Sequence, residues 1–447
     1  MLRPNVLILM TDQQSADAMS CVSGREHLYT PHLDALSERS VMFRRAYSPN
    51  PLCAPARASL FTGRYPHEIG LQTNDTPDEP DRFPCLGTYF RDAGYDTAYF
   101  GKWHFPIPYA DTAKHGFDTI ADADRSNGAD LITPGLACSF LEAPRDRPFF
   151  LVASFNNPHN ICEWARGTRE LPDGPVGTPP PTDRCPPRRS NHAPTENEAS
   201  AIELARRAYQ AQPMFPVGDF GESDWREFLW GYYRMIESVD AKIGQVIDAL
   251  KASGEFDRTV VLFLSDHGDC QGAHGWNQKT VFYEESARVP FILKAPGIDP
   301  GYSNALVNFG VDTLPTLAEL TGIELPPGLP GRSVADDARG KDRESPAYVV
   351  GQNCFAQGAE IDGKKFLANG RMVRTSRYKY CVYSVGPQYE SLYDLNEDPG
   401  ETRNLAGETA YRNVLNQHRA DLADFARLNE DHTAQEILGR MASIEST

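Results

Sequence analysis

From its first residues to about position 330 the chain alternates short β-branched, apolar runs with stretches of helical periodicity. The clearest runs are Asn5–Met10, Thr97–Phe100, Pro148–Phe155 and Thr259–Ser265. Strands alternating with helices assemble as an α/β fold around a largely parallel sheet. One helix is expected after Thr30-Pro31, with Thr30 as cap and Pro31 at the first helical position. Others are expected from about Asp224 to Ala252, capped by Ser223 and stopped near Gly254, and over Asp312–Leu320, ending at Gly322.

Residues 163–222 interrupt this rhythm. Thr178–Pro194 is rich in proline and basic residues and reads as an irregular surface excursion, either a tolerated insertion or a wall of a pocket. A second unit begins near residue 340. Tyr348–Val350, Met372–Thr375, Tyr378–Tyr383 and Leu392–Leu395 read as antiparallel strands, and Tyr411–Leu428 as an amphipathic helix. The expected division is a catalytic α/β domain over 1–338 and a smaller α+β domain over 339–447.

The longest apolar runs are of strand length, too short to span a bilayer. The run at Asn5 starts almost at Met1, with no cationic leader ahead of it. Cytoplasmic residence is therefore expected, or a periplasmic one had a leader been removed. A net charge of −17 argues against nucleic acid or an anionic membrane as partner, since both select basic surfaces. The nine cysteines form no C-x-x-C pair and no zinc spacing. Most, Cys21, Cys138 and Cys381 among them, read as reduced thiols; Cys53 stands apart.

Chemistry concentrates where strands end. Asp12-Gln13 follow the first run closely, Gly101-Lys102-Trp103-His104 the second, Asn157-Pro158-His159 the third, and Asp266-His267-Gly268-Asp269 the fourth. Ligands of open α/β sheets bind beyond the carboxyl ends of the parallel strands, so these four clusters should meet on one rim. Any single aspartate there is most simply a turn residue. As a set, Asp12, Gln13, Asp266 and His267 offer oxygen and imidazole ligands suited to a hard divalent cation: Ca²⁺, Mg²⁺ or Mn²⁺. Asp269 is expected in a turn or behind those ligands.

The most specific segment is Pro51-Leu-Cys53-Ala-Pro55-Ala-Arg57-Ala-Ser-Leu-Phe-Thr-Gly63. It places Cys53 at the mouth of a short helix, with Pro55 in the first turn and Gly63 at the close. A helix N-terminus favours an anion, and Arg57, one turn on, can grip the same anion in a fork.

Cys53-Ala54-Pro55-Ala56-Arg57 resembles the Cys-x-Pro-x-Arg signature of the type I sulfatases of the alkaline phosphatase superfamily. The likeness continues through Asn5–Asp12, Gly101–His104, Asn157–His159, Ser265–Asp269, Lys279 within Gln278–Glu285, Arg374–Tyr380 and Leu392–Glu401. It implies a large α/β/α sandwich with a mostly parallel sheet and a small C-terminal domain with an antiparallel sheet. It further implies that a maturation enzyme oxidises Cys53 to Cα-formylglycine, and that Asp12, Gln13, Asp266 and His267 hold Ca²⁺ with residue 53. Many relatives carry Asp where Gln13 stands and Asn where His267 stands, so Mn²⁺ or Mg²⁺ stays open.

The implied reaction is hydrolysis of a sulfate ester. A hydroxyl of the hydrated aldehyde attacks sulfur while the metal, Arg57, Lys102 and Lys279 neutralise the sulfuryl oxygens. His159 or Lys279 protonates the leaving alkoxide, and His104 assists sulfate release. The expected substrate is a small anionic sulfate ester, a sulfated sugar above all. Asn74, Asp75, Glu163, Trp164, His274 and Gln352 are candidates for its rim. The rival readings are a phosphonate monoester or phosphodiester hydrolase of the same superfamily and an inactive sulfated-glycan binding protein. A phosphoglycerate mutase or phosphatase relative would need Ser or Thr at position 53.

Overall fold

The alternation is realised in eight strands: β1 (Asn5–Asp12), β2 (Val41–Tyr47), β3 (Asp96–Gly101), β4 (Thr119–Asp122), β5 (Phe149–Pro158), β6 (Thr259–Ser265), β7 (Phe291–Lys294) and β8 (Gly301–Asn308). The structure, a computed structural model, describes residues 3–122, 128–341, 346–356, 358–361 and 363–445. The strands form one sheet in the order β4-β3-β5-β1-β6-β7-β2-β8. Only β7 runs antiparallel to its neighbours β6 and β2; the other adjacent pairs are parallel.

Side chains alternate across a strand, so each buried strand feeds two layers. Val6, Ile8 and Met10 of β1 pack with Phe150, Val260 and Leu262 toward the helices Cys53–Thr62 and Phe309–Thr321. Leu7 and Leu9 pack with Leu151, Val261 and Phe263 toward the long helix Glu222–Ala252 and the helix Ala129–Glu142. The result is the expected α/β/α sandwich.

Several helix ends differ from the sequence reading. The long helix starts at Gly221, whose N–H donates to the Asp224 carboxylate at 2.8 Å, so Ser223 lies in the first turn rather than at the cap. Thr30 does precede the helix Pro31–Ser37, but its hydroxyl accepts from Ser20 N at 2.8 Å instead of capping. The helix before Gly322 begins at Phe309, because Asn308 at the end of β8 accepts directly from Gly310 N. Residues 163–222 are more ordered than their proline content suggests. They include the helix Ser200–Gln210, whose Ala201, Ile202, Ala205 and Tyr209 pack with Phe355 and Tyr383 of the C-terminal unit.

That unit is built on β9 (Tyr348–Phe355), a two-residue ladder of β10 (Glu360–Ile361) and β11 (Lys364–Lys365), then β12 (Ala368–Thr375), β13 (Tyr378–Tyr383) and β14 (Glu390–Asp394). The main sheet is antiparallel in the order β14-β13-β12-β9. The anticipated helix, Arg412–Leu428, is followed by another, His432–Glu445, that the sequence reading missed.

The end of β3 shows how closely the strands determine the rim. Gly101 has φ +103°, and a Cβ there would lie 1.9 Å from the Ser154 carbonyl oxygen of β5. Lys102 N donates to that same oxygen at 2.9 Å. Gly101→Ala must shift β3 away from β5 or distort the turn into Lys102. Its expected cost exceeds the roughly 1–3 kcal/mol of backbone strain alone. Urea denaturation measures it; a variant within about 0.5 kcal/mol of the wild type would show that this close approach is not needed.

Candidate active site

The helix Cys53–Thr62 points its N-terminal end at the carboxyl ends of β1 and β6. The amides that follow Cys53 are already engaged. Ala54 N donates to Asn74 Oδ1 at 3.1 Å, Pro55 has no N–H, and Ala56 N donates to Leu52 O. The helix end therefore contributes its positive dipole, rather than a set of free donors, to whatever sits beside Cys53.

Arg57 departs from expectation. Its guanidinium is fully buried and does not face an open pocket. Nε donates to Asp266 Oδ2 at 2.9 Å, and Nη2 to Asp12 Oδ2 at 3.1 Å. Nη1 donates to Lys102 O at 2.8 Å and Ser154 Oγ at 2.9 Å. All three nitrogens are spent on protein groups, so Arg57 positions two carboxylates and a loop instead of gripping a substrate anion.

Around this fork, ligand atoms of Asp12, Cys53, Asp266 and His267 all lie within 4.8 Å of one another, and all four residues are buried. His267 Nδ1 is 2.9 Å from the Gly268 carbonyl, which accepts its proton and leaves Nε2 as the inward nitrogen. Nε2 stands 3.3 Å from Cys53 Sγ. Gln13, at φ +74°, donates Nε2 to Asp269 Oδ2 at 2.7 Å, so its Oε1 faces inward and accepts from Lys279 Nζ at 2.8 Å. Asp269 thus stands behind Gln13, as a carboxylate that turns a neutral amide oxygen toward the centre.

Basic groups close the other side. Lys279 Nζ is 3.1 Å from Cys53 Sγ, Lys102 pairs with Asp12, and His104 and His159 are both within hydrogen-bonding reach of the thiol. Burial pushes the Cys53 thiol upward, but Lys279, Lys102 and His267 together pull it well below the usual thiol value. Burial and Cys53 likewise raise Asp12, and Lys102, His159 and Lys279 bring it well below an ordinary carboxyl. Asp266 is pushed up to about 6 by burial and by the charge of Asp12. His159 is held well below its ordinary value by burial and the two lysines. Two fully buried carboxylates side by side, an inward imidazole nitrogen and an inward amide oxygen fit a hard divalent cation. The site also accommodates negative charge on residue 53.

Of the expected rim residues, Asn74 lies at the helix mouth, and Asp75 is exposed beside it with Thr73 Oγ1 donating to its carboxylate. Glu163 is half-buried and pairs with Arg166. Three others are corrected. Trp164 is core, packed against Gly231 and covered by the Arg169 guanidinium at 3.9 Å. His274 is fully buried, stacked on Tyr283 at 3.6 Å and hydrogen-bonded to Thr195 and Asn191. Gln352 is fully buried between His67 and Asp431. Their polar atoms serve the interior. The sequence reading missed Ser154 and Tyr99, whose hydroxyls donate to the Lys102 carbonyl beside Arg57. The available signal was a polar residue, Ser154, inside an otherwise apolar buried strand.

Arg57→Ala leaves Asp12 and Asp266 buried without their shared cation, and the expected loss is about 3–5 kcal/mol. Arg57→Lys keeps the charge without the planar fork and should recover only part of it. Urea titration of both variants checks this. A full recovery with lysine would show that charge alone, not bidentate geometry, holds the carboxylates.

Residues 4–323 match the family described as Sulfatase, and residues 272–427 match N-sulphoglucosamine sulphohydrolase, C-terminal. The chain is 30% identical to the delta 4,5-hexuronate-2-O-sulfatase of Bacteroides thetaiotaomicron, covering 96% of this chain and 90% of that protein. It is also 30% identical to the ulvan-active sulfatase of Formosa agariphila, over 94% and 80%. A solved structure described as a 2-O GAG sulfatase superposes with a TM-score of 0.84 at 28% identity, covering 97% of this chain and 94% of that one. With a cysteine-centred, cation-ready cluster on an α/β/α rim, the chain belongs to the sulfatase family, formylglycine-dependent enzymes of the alkaline phosphatase superfamily.

Proposed function

We propose that this sulfatase releases inorganic sulfate from a sulfated carbohydrate, with residue 53 in its formylglycine form and Ca²⁺ as the resident ion. The observation that carries the proposal is the convergence of Asp12, Asp266, His267, Lys102, Lys279, His104 and His159 on one atom, Cys53 Sγ. That sulfur stands in for the oxygen of the modified residue. The carbohydrate class is supported by the hexuronate and ulvan named for the two relatives. Because Cys53 is fully buried in the folded chain, its conversion by a maturation enzyme is expected before folding closes over it.

Asp12, Gln13, Asp266 and His267 would hold the cation with residue 53, and it would supply positive charge to the sulfuryl oxygens and lower the pKa of the nucleophile. In its formylglycine form residue 53 would supply, as the hydrate, one hydroxyl to attack sulfur and a second whose proton loss breaks the C–O bond to sulfate and restores the aldehyde. The chain's own groups do the rest. Lys279, held between Gln13 Oε1 and residue 53, and Lys102, set against Asp12, balance the charge that collects on the transferring group. Lys279 is thereby anchored at the nucleophile, and His159, beside residue 53, is assigned to protonate the departing alkoxide. Burial and the two lysines hold its imidazole well below its ordinary value in the free site. A sulfate ester bound between those lysines would offset part of their field at the ring. His104 is placed to take a proton from the hydroxyl of residue 53 as sulfate leaves.

Cys53→Ala is expected to abolish turnover while leaving the circular dichroism spectrum unchanged. Sulfate release from a panel of sulfated mono- and disaccharides identifies the substrate class. A kcat/KM for phenyl phosphonate esters above that for every sulfate ester tried would overturn the assignment.

A further inference from the structure

His159 follows directly on the end of β5, and that strand end is held by more than its ladder. Two buried aspartates from elsewhere hold it. Asp130, in the first turn of the helix Ala129–Glu142, accepts the backbone N–H of Asn156 at 2.5 Å on Oδ1 and that of Asn157 at 2.9 Å on Oδ2. Asp173, from the segment that interrupts the α/β rhythm, accepts Asn156 Nδ2 at 2.9 Å and Asn160 Nδ2 at 2.7 Å on Oδ2. Its Oδ1 accepts Asp130 N at 2.9 Å, which also joins it to the positive end of that helix. His159 N in turn donates to Asn156 O at 2.9 Å. Every residue in this chain of bonds is buried. Gly128 makes the approach possible: at φ +70°, a Cβ there would lie 2.6 Å from the Pro172 carbonyl oxygen.

We propose that Asp130 and Asp173 are positioning residues for the proton-donating His159, and that the 163–222 segment serves catalysis through Asp173 rather than only by lining a pocket. The inference rests on the assignment of His159 as donor to the leaving group. Three side-chain oxygens, through four hydrogen bonds, clamp residues 156, 157 and 160, the positions flanking His159 on both sides. A rigid turn matters here because a general acid acts only within hydrogen-bond reach of the leaving oxygen, and a displacement of about 1 Å costs on the order of 100-fold. The nucleophile side of the site, built on Arg57, Lys279 and Gln13, makes no hydrogen bond or ion pair to either aspartate among the described residues. The two halves of the reaction should therefore separate on mutation.

The test compares two esters on the mature enzyme. A sugar sulfate leaves as an alkoxide that needs a proton; 4-nitrophenyl sulfate leaves as a stable phenolate that does not. Asp130→Asn and Asp173→Asn each replace an acceptor with an amide facing N–H donors, and Asn160→Ala removes one donor to Asp173 and one acceptor from Asn156 while leaving both aspartates in place. His159→Ala is the reference. For all four variants, kcat on the sugar sulfate should fall at least about tenfold more than kcat on the nitrophenyl ester. The effect should lie in kcat rather than KM. Thermal melts identify any variant that has merely lost stability, and Asn160→Ala keeps the test open if the aspartate variants do not fold. Equal losses on both esters in folded clamp variants, with His159→Ala still discriminating, would overturn the clamp alone. Equal losses in His159→Ala would overturn the donor assignment and the clamp with it.

Discussion

The site depends on one buried interaction, the Arg57 guanidinium set between Asp12 and Asp266. The two carboxylates come from the ends of adjacent strands, β1 and β6, and neither could stay ionised in the interior without a partner. The arginine comes from the helix that begins at Cys53, one turn along. A single side chain thereby ties the mouth of that helix to both strand ends and fixes the distance between residue 53 and the oxygen ligands. Its remaining nitrogen reaches the Lys102 carbonyl and Ser154, which extends the same tie to β3 and β5. Four strand ends that the sequence places far apart are joined through one planar group.

Charge is arranged in layers around this centre. Asp12 and Asp266 stand beside the ligand positions, with Arg57 behind them, Lys102 against Asp12 and Lys279 against residue 53. The neutral Gln13 has its negative charge one bond further out, on Asp269. That displacement keeps a carboxylate close to the cation position without adding a third one in contact. It suits a site that must bind a dication and still receive an anionic ester, since surplus negative charge at the centre would repel the substrate. His159 reaches residue 53 from the end of β5, which Asp130 and Asp173 hold.

Much of this was legible before coordinates. β1, β3, β5 and β6 were visible because strands buried on both faces must be apolar throughout, and the site because polar clusters follow those strands almost immediately. Cys-x-Pro-x-Arg located the helix mouth. Arg57's partners were not legible. The spacing put the guanidinium near residue 53 but could not show that two carboxylates from β1 and β6 would consume it. Trp164, His274 and Gln352 fall near loops in the sequence, and only tertiary packing reveals that Gly231, Tyr283 and Asp431 close over them. Ser200–Gln210 was hidden behind a proline-rich stretch, and Asp173 had no local signal at all, since its partners lie 13 to 43 residues away.

The central claim is that the working enzyme uses an oxidised residue at position 53. Mass spectrometry of the tryptic peptide Ala46–Arg57, taken from enzyme shown to be turning over a sulfate ester, tests it most directly. The account predicts a peptide about 18 Da lighter than the cysteine form, in proportion to the active fraction. A fully active preparation whose peptide carries an intact thiol would contradict it.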